Sequence, residues 1–265
     1  MQIGASSACF YPLETEKAFL RLAKLGFTET EIFFNSTSEL DPSFIKELKA
    51  IRDAYGINII SFHPYESFAE GYRFFSRYER RFYDSVEGFK RYFEASAELG
   101  AKYLVLHGSR GKIDITKEEY AERFGKLNET AKTMGCIVTH ENVVDYSGAT
   151  PEFIQFMKGQ LGDSFKMVLD VKQARRAKVD PYEFIRIMGD NIVHVHLSDF
   201  SESCDCLPPS EKGLFDFERL FTELDKVGYK GKYIVELYSD NYKNESEILT
   251  SAKYLEGIFN KVNKG

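Results

Sequence analysis

The sequence predicts an α/β protein folded as a single (β/α)8 (TIM) barrel, and three observations predict it. Short β-branched runs alternate with longer amphipathic stretches, and the alternation repeats eight times. No G-x-G-x-x-G turn follows the first run, so an open dinucleotide-binding sheet lacks its usual signature. The length of 265 residues matches one barrel, and no linker rich in Pro, Gly or Ser divides it, so residues 1–265 read as one domain.

The first strand is expected from Gln2 to Ser6, ahead of EKAFLRLAKLGF, whose apolar residues recur at helical spacing and whose Gly26 suits a left-handed C-cap. The second strand, Thr30 to Phe34, leads to PSFIKELKAIRDAYG, which ends at Gly56. The third, Ile57 to Phe62, leads to YERRFYDSVEGFKRYFEASAELG and Gly100. The fourth, Tyr103 to His107, precedes KEEYAERFGKLNETAKTMG and Gly135. The fifth, Ile137 to Glu141, and the sixth, Met167 to Asp170, precede TPEFIQFMKGQLG and DPYEFIRIMGD. The seventh, Ile192 to Leu197, feeds DFERLFTELDKVGY with Gly228 as its cap, and the eighth, Tyr233 to Leu237, feeds SEILTSAKYLEGIF. Strict alternation implies parallel strands, and eight units imply closure.

Composition excludes several function classes. Hydrophobic residues make up 43%, with 23 Phe and 16 Tyr, enough to fill one large core. A net charge of -6 disfavours a partner bound by neutralising many phosphates, so no nucleic acid is expected. The opening MQIGASSACF lacks a basic n-region and a long apolar h-region, and no apolar run approaches the roughly 20 residues that span a bilayer, so a cytoplasmic protein without membrane contact is expected. Cys9, Cys136, Cys204 and Cys206 lack zinc-ribbon or thioredoxin spacing and read as reduced thiols.

All five histidines fall in or at the end of expected strands: His63, His107, His140, His194 and His196. Glu141, Asp170 and Glu236 likewise end apolar strands, where an ionised carboxylate is costly unless a cation or donors meet it. In a parallel barrel every strand's C-terminal end reaches one rim, so Glu141, Asp170, His196, Glu236, His63 and His107 would converge there. One strand-end His alone is ordinarily a hydrogen-bonded rim residue; six such groups at one mouth have the composition of a metal site. Three carboxylates and one imidazole suit Mn2+, Mg2+ or Co2+, with Zn2+ feasible. His63 and His107 could hold a second ion with Glu141 bridging, or bind substrate oxygens. His140 alternates away from Glu141 toward the helices, and His194 lies a layer below His196.

On LVLHGS, HEN, LDVKQA, HVHLSD, IVEL and the loop DCLPPSEKGLFDF, the chain resembles the xylose isomerase-like barrels, which include sugar phosphate isomerases and epimerases, inositol-catabolism enzymes and endonuclease IV-type nucleases. The resemblance implies that Glu141, Asp170, His196 and Glu236 are the principal metal ligands, and that His63 and His107 occupy second-metal positions of the nuclease branch. Two departures stand out: Gln173 where many members carry His, and Asp205, Cys206, Leu207 where the nuclease loop offers Asp-x-His. Both favour a sugar enzyme over a trinuclear nuclease.

The expected activity is that of a metal-dependent isomerase or epimerase of a sugar, sugar phosphate or inosose in carbohydrate metabolism. It would work by enediolate proton transfer, with Glu141 and Glu236 as base and acid. His63, His107 and Gln173 would bind substrate, and Arg110 or Lys212, like Lys112 and Arg175, could meet a phosphate. Phe10, Tyr11, Phe34 and Tyr65 could stack on a sugar ring, or simply pack. The alternatives are an endonuclease IV-like nuclease or phosphodiesterase, and a non-catalytic sugar-binding barrel. The oligomeric state, including a homo-oligomer, stays open.

Overall fold

The computed structural model describes residues 3–263, so the expected strand start at Gln2 lies outside the described residues. Eight parallel strands close in sequential order: β1 (Ile3–Ser6), β2 (Glu29–Phe33), β3 (Asn58–His63), β4 (Tyr103–Leu106), β5 (Ile137–Glu141), β6 (Lys166–Asp170), β7 (Ile192–Leu197) and β8 (Lys232–Val235), with β8 pairing back onto β1. The protein is a (β/α)8 barrel. At β2 the ladder begins one residue early, because Glu29 closes the lower rim by accepting from Asn58 Nδ2 at 2.7 Å and Lys232 Nζ at 2.8 Å. At β8 the ladder stops at Val235, although Glu236 N still donates to Leu197 O at 3.1 Å and holds the next residue at the mouth.

The outer ring comprises α1 (Thr15–Leu25), α2 (Pro42–Tyr55), α4 (Glu79–Leu99), α5 (Lys117–Thr133), α6 (Pro151–Leu161), α8 (Pro181–Met188), α9 (Phe217–Lys226) and α10 (Ser246–Val262). Two short helices, α3 (Glu70–Phe74) and α7 (Val171–Arg176), follow β3 and β6. Six residues are too few to show helical periodicity, which is why VKQARR carries no helix signal in the sequence. Gly26, Gly56, Gly100, Gly135 and Gly228 all take positive φ, the conformation of a left-handed cap.

The main core lies between barrel and helices and includes Phe10, Phe19, Phe34, Phe62 and Phe124. Burying each such ring contributes about 1.5–3 kcal/mol. Phe34 meets Phe62 and Tyr92 edge-on, at 4.9 and 5.8 Å between centroids, so it is a packing residue. His140 faces this layer, with its Nε2 2.9 Å from Tyr120 Oη, and burial pushes its pKa down to about 4. Inside the barrel, Val105 and Val168 form a separate apolar floor. Two residues along each strand, on the same face, come His107 and Asp170. Gly108 follows with φ +89, and a Cβ there would stand 2.2 Å from Tyr120 Oη and 2.6 Å from His140 Nε2. Only glycine lets the chain leave β4 so close to those side chains.

All four cysteines are unpaired. Among the described residues no helix is long and apolar enough to cross a membrane.

Candidate metal centre and cavity

Four side chains from consecutive strand ends meet at the mouth. Asp170 and His196 are register partners across β6 and β7, Glu141 ends β5, and Glu236 follows β8. One ligand atom from each lies within 4.8 Å of the others. His196 Nδ1 is 3.4 Å from Glu141 Oε1, 3.8 Å from Glu236 Oε2 and 4.0 Å from Asp170 Oδ2.

Charge balance at this point argues for a cation. Burial pushes the Asp170 carboxyl up to about 6; the Lys172 ammonium pulls the other way, and the charges of Glu141 and Glu236 add to the rise. Burial also raises Glu141, but His107, His196 and His63 together hold its carboxyl well below the usual range. Asp170 Oδ2 and His196 Nδ1, 4.0 Å apart, are buried without a hydrogen bond, a costly state for two groups aimed at one another. Hard carboxylate oxygens with one imidazole nitrogen are a donor set for a divalent ion, so the residues fit one.

Local structure fixes each of these side chains. Gln173 N donates to Asp170 Oδ1 at 2.9 Å, capping α7 and leaving Oδ2 to the cluster. Asn142 locks β5 to β6: its Nδ2 donates to Asp170 O at 2.9 Å and its Oδ1 accepts from Asp170 N at 2.7 Å. Below the cluster, Glu31 Oε2 lies 3.1 Å from both His194 Nε2 and His196 Nε2 and accepts from Ser61 Oγ at 2.7 Å. With Nε2 of His196 bonded to Glu31, Nδ1 is the nitrogen left for an ion. Sequence reasoning missed Glu31; an acid between Thr30 and Ile32 in a strand was its only signal.

Glu141 also belongs to a second group. His107 Nε2 and His63 Nε2 are 2.8 Å apart and lie 3.1 and 3.5 Å from Glu141 Oε2. These groups open into a cavity of about 430 Å³, inside the roughly 300–1,000 Å³ usual for small-molecule sites. Its polar lining includes His63, His107, Glu141, Lys172, Gln173 and Glu236, and its walls include Tyr11, Phe33, Tyr65, Leu237 and Tyr238. Gln173 is held by Oε1, which accepts from Val144 N at 3.2 Å. Phe33, not Phe34, reaches the cavity, where its ring lies 4.7 Å from that of His63. A larger open groove of about 860 Å³ runs past Leu13 and Ser246, and none of the converging acid and imidazole groups lies in it.

Lys172, which the sequence did not single out, enters the cluster from α7. Its Nζ lies 2.9 Å from Glu236 Oε2 and 3.4 Å from Asp170 Oδ2. Arg110 and Lys212 are exposed and do not line the cavity. Arg110 stands 3.9 Å from Asp145, and the Arg175 guanidinium lies 3.9 Å from the Phe200 ring centroid. Asp205 accepts from Arg176 Nε at 2.6 Å and Nη2 at 3.1 Å, Cys206 is buried, and Leu207 exchanges two 2.7 Å backbone bonds with Asp199. That loop is committed to its own packing.

The family model described as xylose isomerase-like TIM barrel matches residues 19–258. The protein named Uncharacterized protein MJ1311, from Methanocaldococcus jannaschii, is 26% identical over 99% of this chain and 92% of its own length. The crystal structure of a D-tagatose 3-epimerase-like protein superposes with a TM-score of 0.81 at 24% identity, covering 100% of this chain and 99% of that one. That of an AP endonuclease, family 2, from Brucella melitensis superposes with a TM-score of 0.73 at 18% identity, covering 96% and 98%.

Proposed function

The chain belongs to the xylose isomerase-like TIM barrel family, and from that premise we propose that it is a divalent-metal-dependent isomerase or epimerase of a small sugar, working by proton transfer beside a carbonyl. The observation that carries this is the Glu141, Asp170, His196 and Glu236 cluster, with its unbonded donor atoms, at the floor of a sugar-sized cavity. The D-tagatose 3-epimerase-like neighbour supports the same substrate class.

A bound divalent ion supplies polarisation of a carbonyl and a neighbouring hydroxyl, which acidifies the C–H between them. The protein's own groups do the rest. Glu141 and Glu236 face the cavity from separate strands, so one, as a carboxylate, takes the proton and keeps it while the other, starting protonated, gives its own proton to the opposite face, inverting the centre; one acting alone exchanges aldose and ketose. His63, His107 and Gln173 hold substrate hydroxyls, and Tyr11, Phe33 and Tyr65 cover the apolar face of the ring. Lys172 is the one Lys or Arg side chain lining the cavity among the described residues and already stands between two carboxylates, which favours an unphosphorylated sugar over one reaching Arg110 or Lys212. Residues 1–265 are taken as one cytoplasmic domain acting on a small carbohydrate.

The test is solvent exchange. Ketoses, ketose phosphates and inososes are incubated in heavy water with Mn2+, Mg2+ or Zn2+, and deuterium next to the carbonyl is read by NMR. Ion-dependent incorporation into at least one unphosphorylated compound is expected. The group formed by His63, His107 and Glu141 favours a second reading with two or more ions, and cleavage of abasic DNA without sugar exchange would establish it instead. Tight sugar binding with neither reaction would indicate a sensor.

A further inference from the structure

We propose that Lys172 is an internal counter-cation of the metal centre, whose ammonium competes with the ion for Asp170 Oδ2 and Glu236 Oε2. This deepens the divalent-ion reading above and rests on it.

Lys172 follows Asp170 by two residues, in the first turn of α7, and its side chain is only 2% exposed. Lysine is almost never so buried unless paired. Its partners are Glu236 Oε2 at 2.9 Å and Asp170 Oδ2 at 3.4 Å, with the Tyr238 ring centroid 4.8 Å from Nζ. Those two oxygens also face His196 Nδ1, at 3.8 and 4.0 Å. The ammonium and a divalent ion therefore draw on the same atoms.

An ammonium has three donors and no lone pair, so it cannot become a ligand beside the ion. Two cations on shared oxygens repel, and each weakens the hold of the other. Without an ion, Lys172 keeps Asp170 and Glu236 from facing each other uncompensated, which lets the barrel fold empty. With an ion, the ammonium gives up part of that pairing. It lines the cavity, so its freed donors lie next to substrate oxygens.

The experiment measures Mn2+ binding by the electron paramagnetic resonance of free Mn2+, and metal-free melting temperature, for the full-length wild type, Lys172→Met and Lys172→Gln. Both variants should bind Mn2+ about tenfold or more tightly than wild type, melt lower without metal, and gain more from Mn2+ than wild type does. A variant that folds only with Mn2+ also supports the proposal. Equal or weaker Mn2+ binding by the variants overturns it, as do variants that fold under neither condition, since Lys172 would then be needed for more than charge. Absence of Mn2+ binding by the wild type and both variants alike instead sinks the divalent-ion reading itself, so the two failures are distinguishable.

Discussion

Glu236→Gln is expected to lower sugar proton exchange by roughly 10²–10⁴-fold, the span that a positioned acid or base contributes. Glu236 is the most accessible of the four cluster acids and imidazoles, with a side chain 14% exposed and lining the cavity. Glutamine keeps its size and one acceptor oxygen but can neither take nor return a proton. It also removes the closest partner of Lys172, at 2.9 Å, leaving that ammonium with Asp170 alone. Exchange rates in heavy water, read beside Mn2+ content, check both effects. Full exchange by the variant would remove Glu236 from the mechanism.

Glu141→Gln is expected to do more damage to the site. Glu141, like His196, belongs to two clusters: its Oε1 faces His196 at 3.4 Å, and its Oε2 faces His107 and His63 at 3.1 and 3.5 Å. Its side chain is 3% exposed, so its charge is compensated by these imidazoles and not by water. Removing one partner from so buried a set costs about 3–5 kcal/mol of stability. Metal affinity should fall by more than the roughly 10–100-fold that loss of an outer partner costs. Chemical denaturation of the metal-free protein and Mn2+ titration read the two losses separately. Wild-type Mn2+ affinity in the variant would exclude Glu141 as a ligand.

The strand-end acids were legible because a parallel barrel turns sequence position into spatial position: an acid or His at the end of each apolar run arrives at one rim. Glu141, Asp170, His196 and Glu236 carry that signal directly. Glu31 did not, because it stands in the middle of β2, where TETEIFF reads as half-exposed; the fold shows it fully buried against His194 and His196. Lys172 reads as surface in LDVKQA, and only the turn of α7 brings its ammonium back onto Asp170 and Glu236. At β2 a one-residue shift of the strand end exchanges the two phenylalanines, since neighbours along a strand point to opposite faces: Phe33 meets the cavity and Phe34 the helices. The courses of the loops bearing Arg110 and Lys212 have no periodic signature, so pattern alone could not place either side chain.

Anomalous diffraction at the manganese edge, from crystals grown with Mn2+, tests the central claim most directly. A peak within direct bonding distance of donor atoms from Glu141, Asp170, His196 and Glu236 is expected. Manganese bound elsewhere while these four side chains stay free of it, or no bound manganese at saturating concentration, would contradict it.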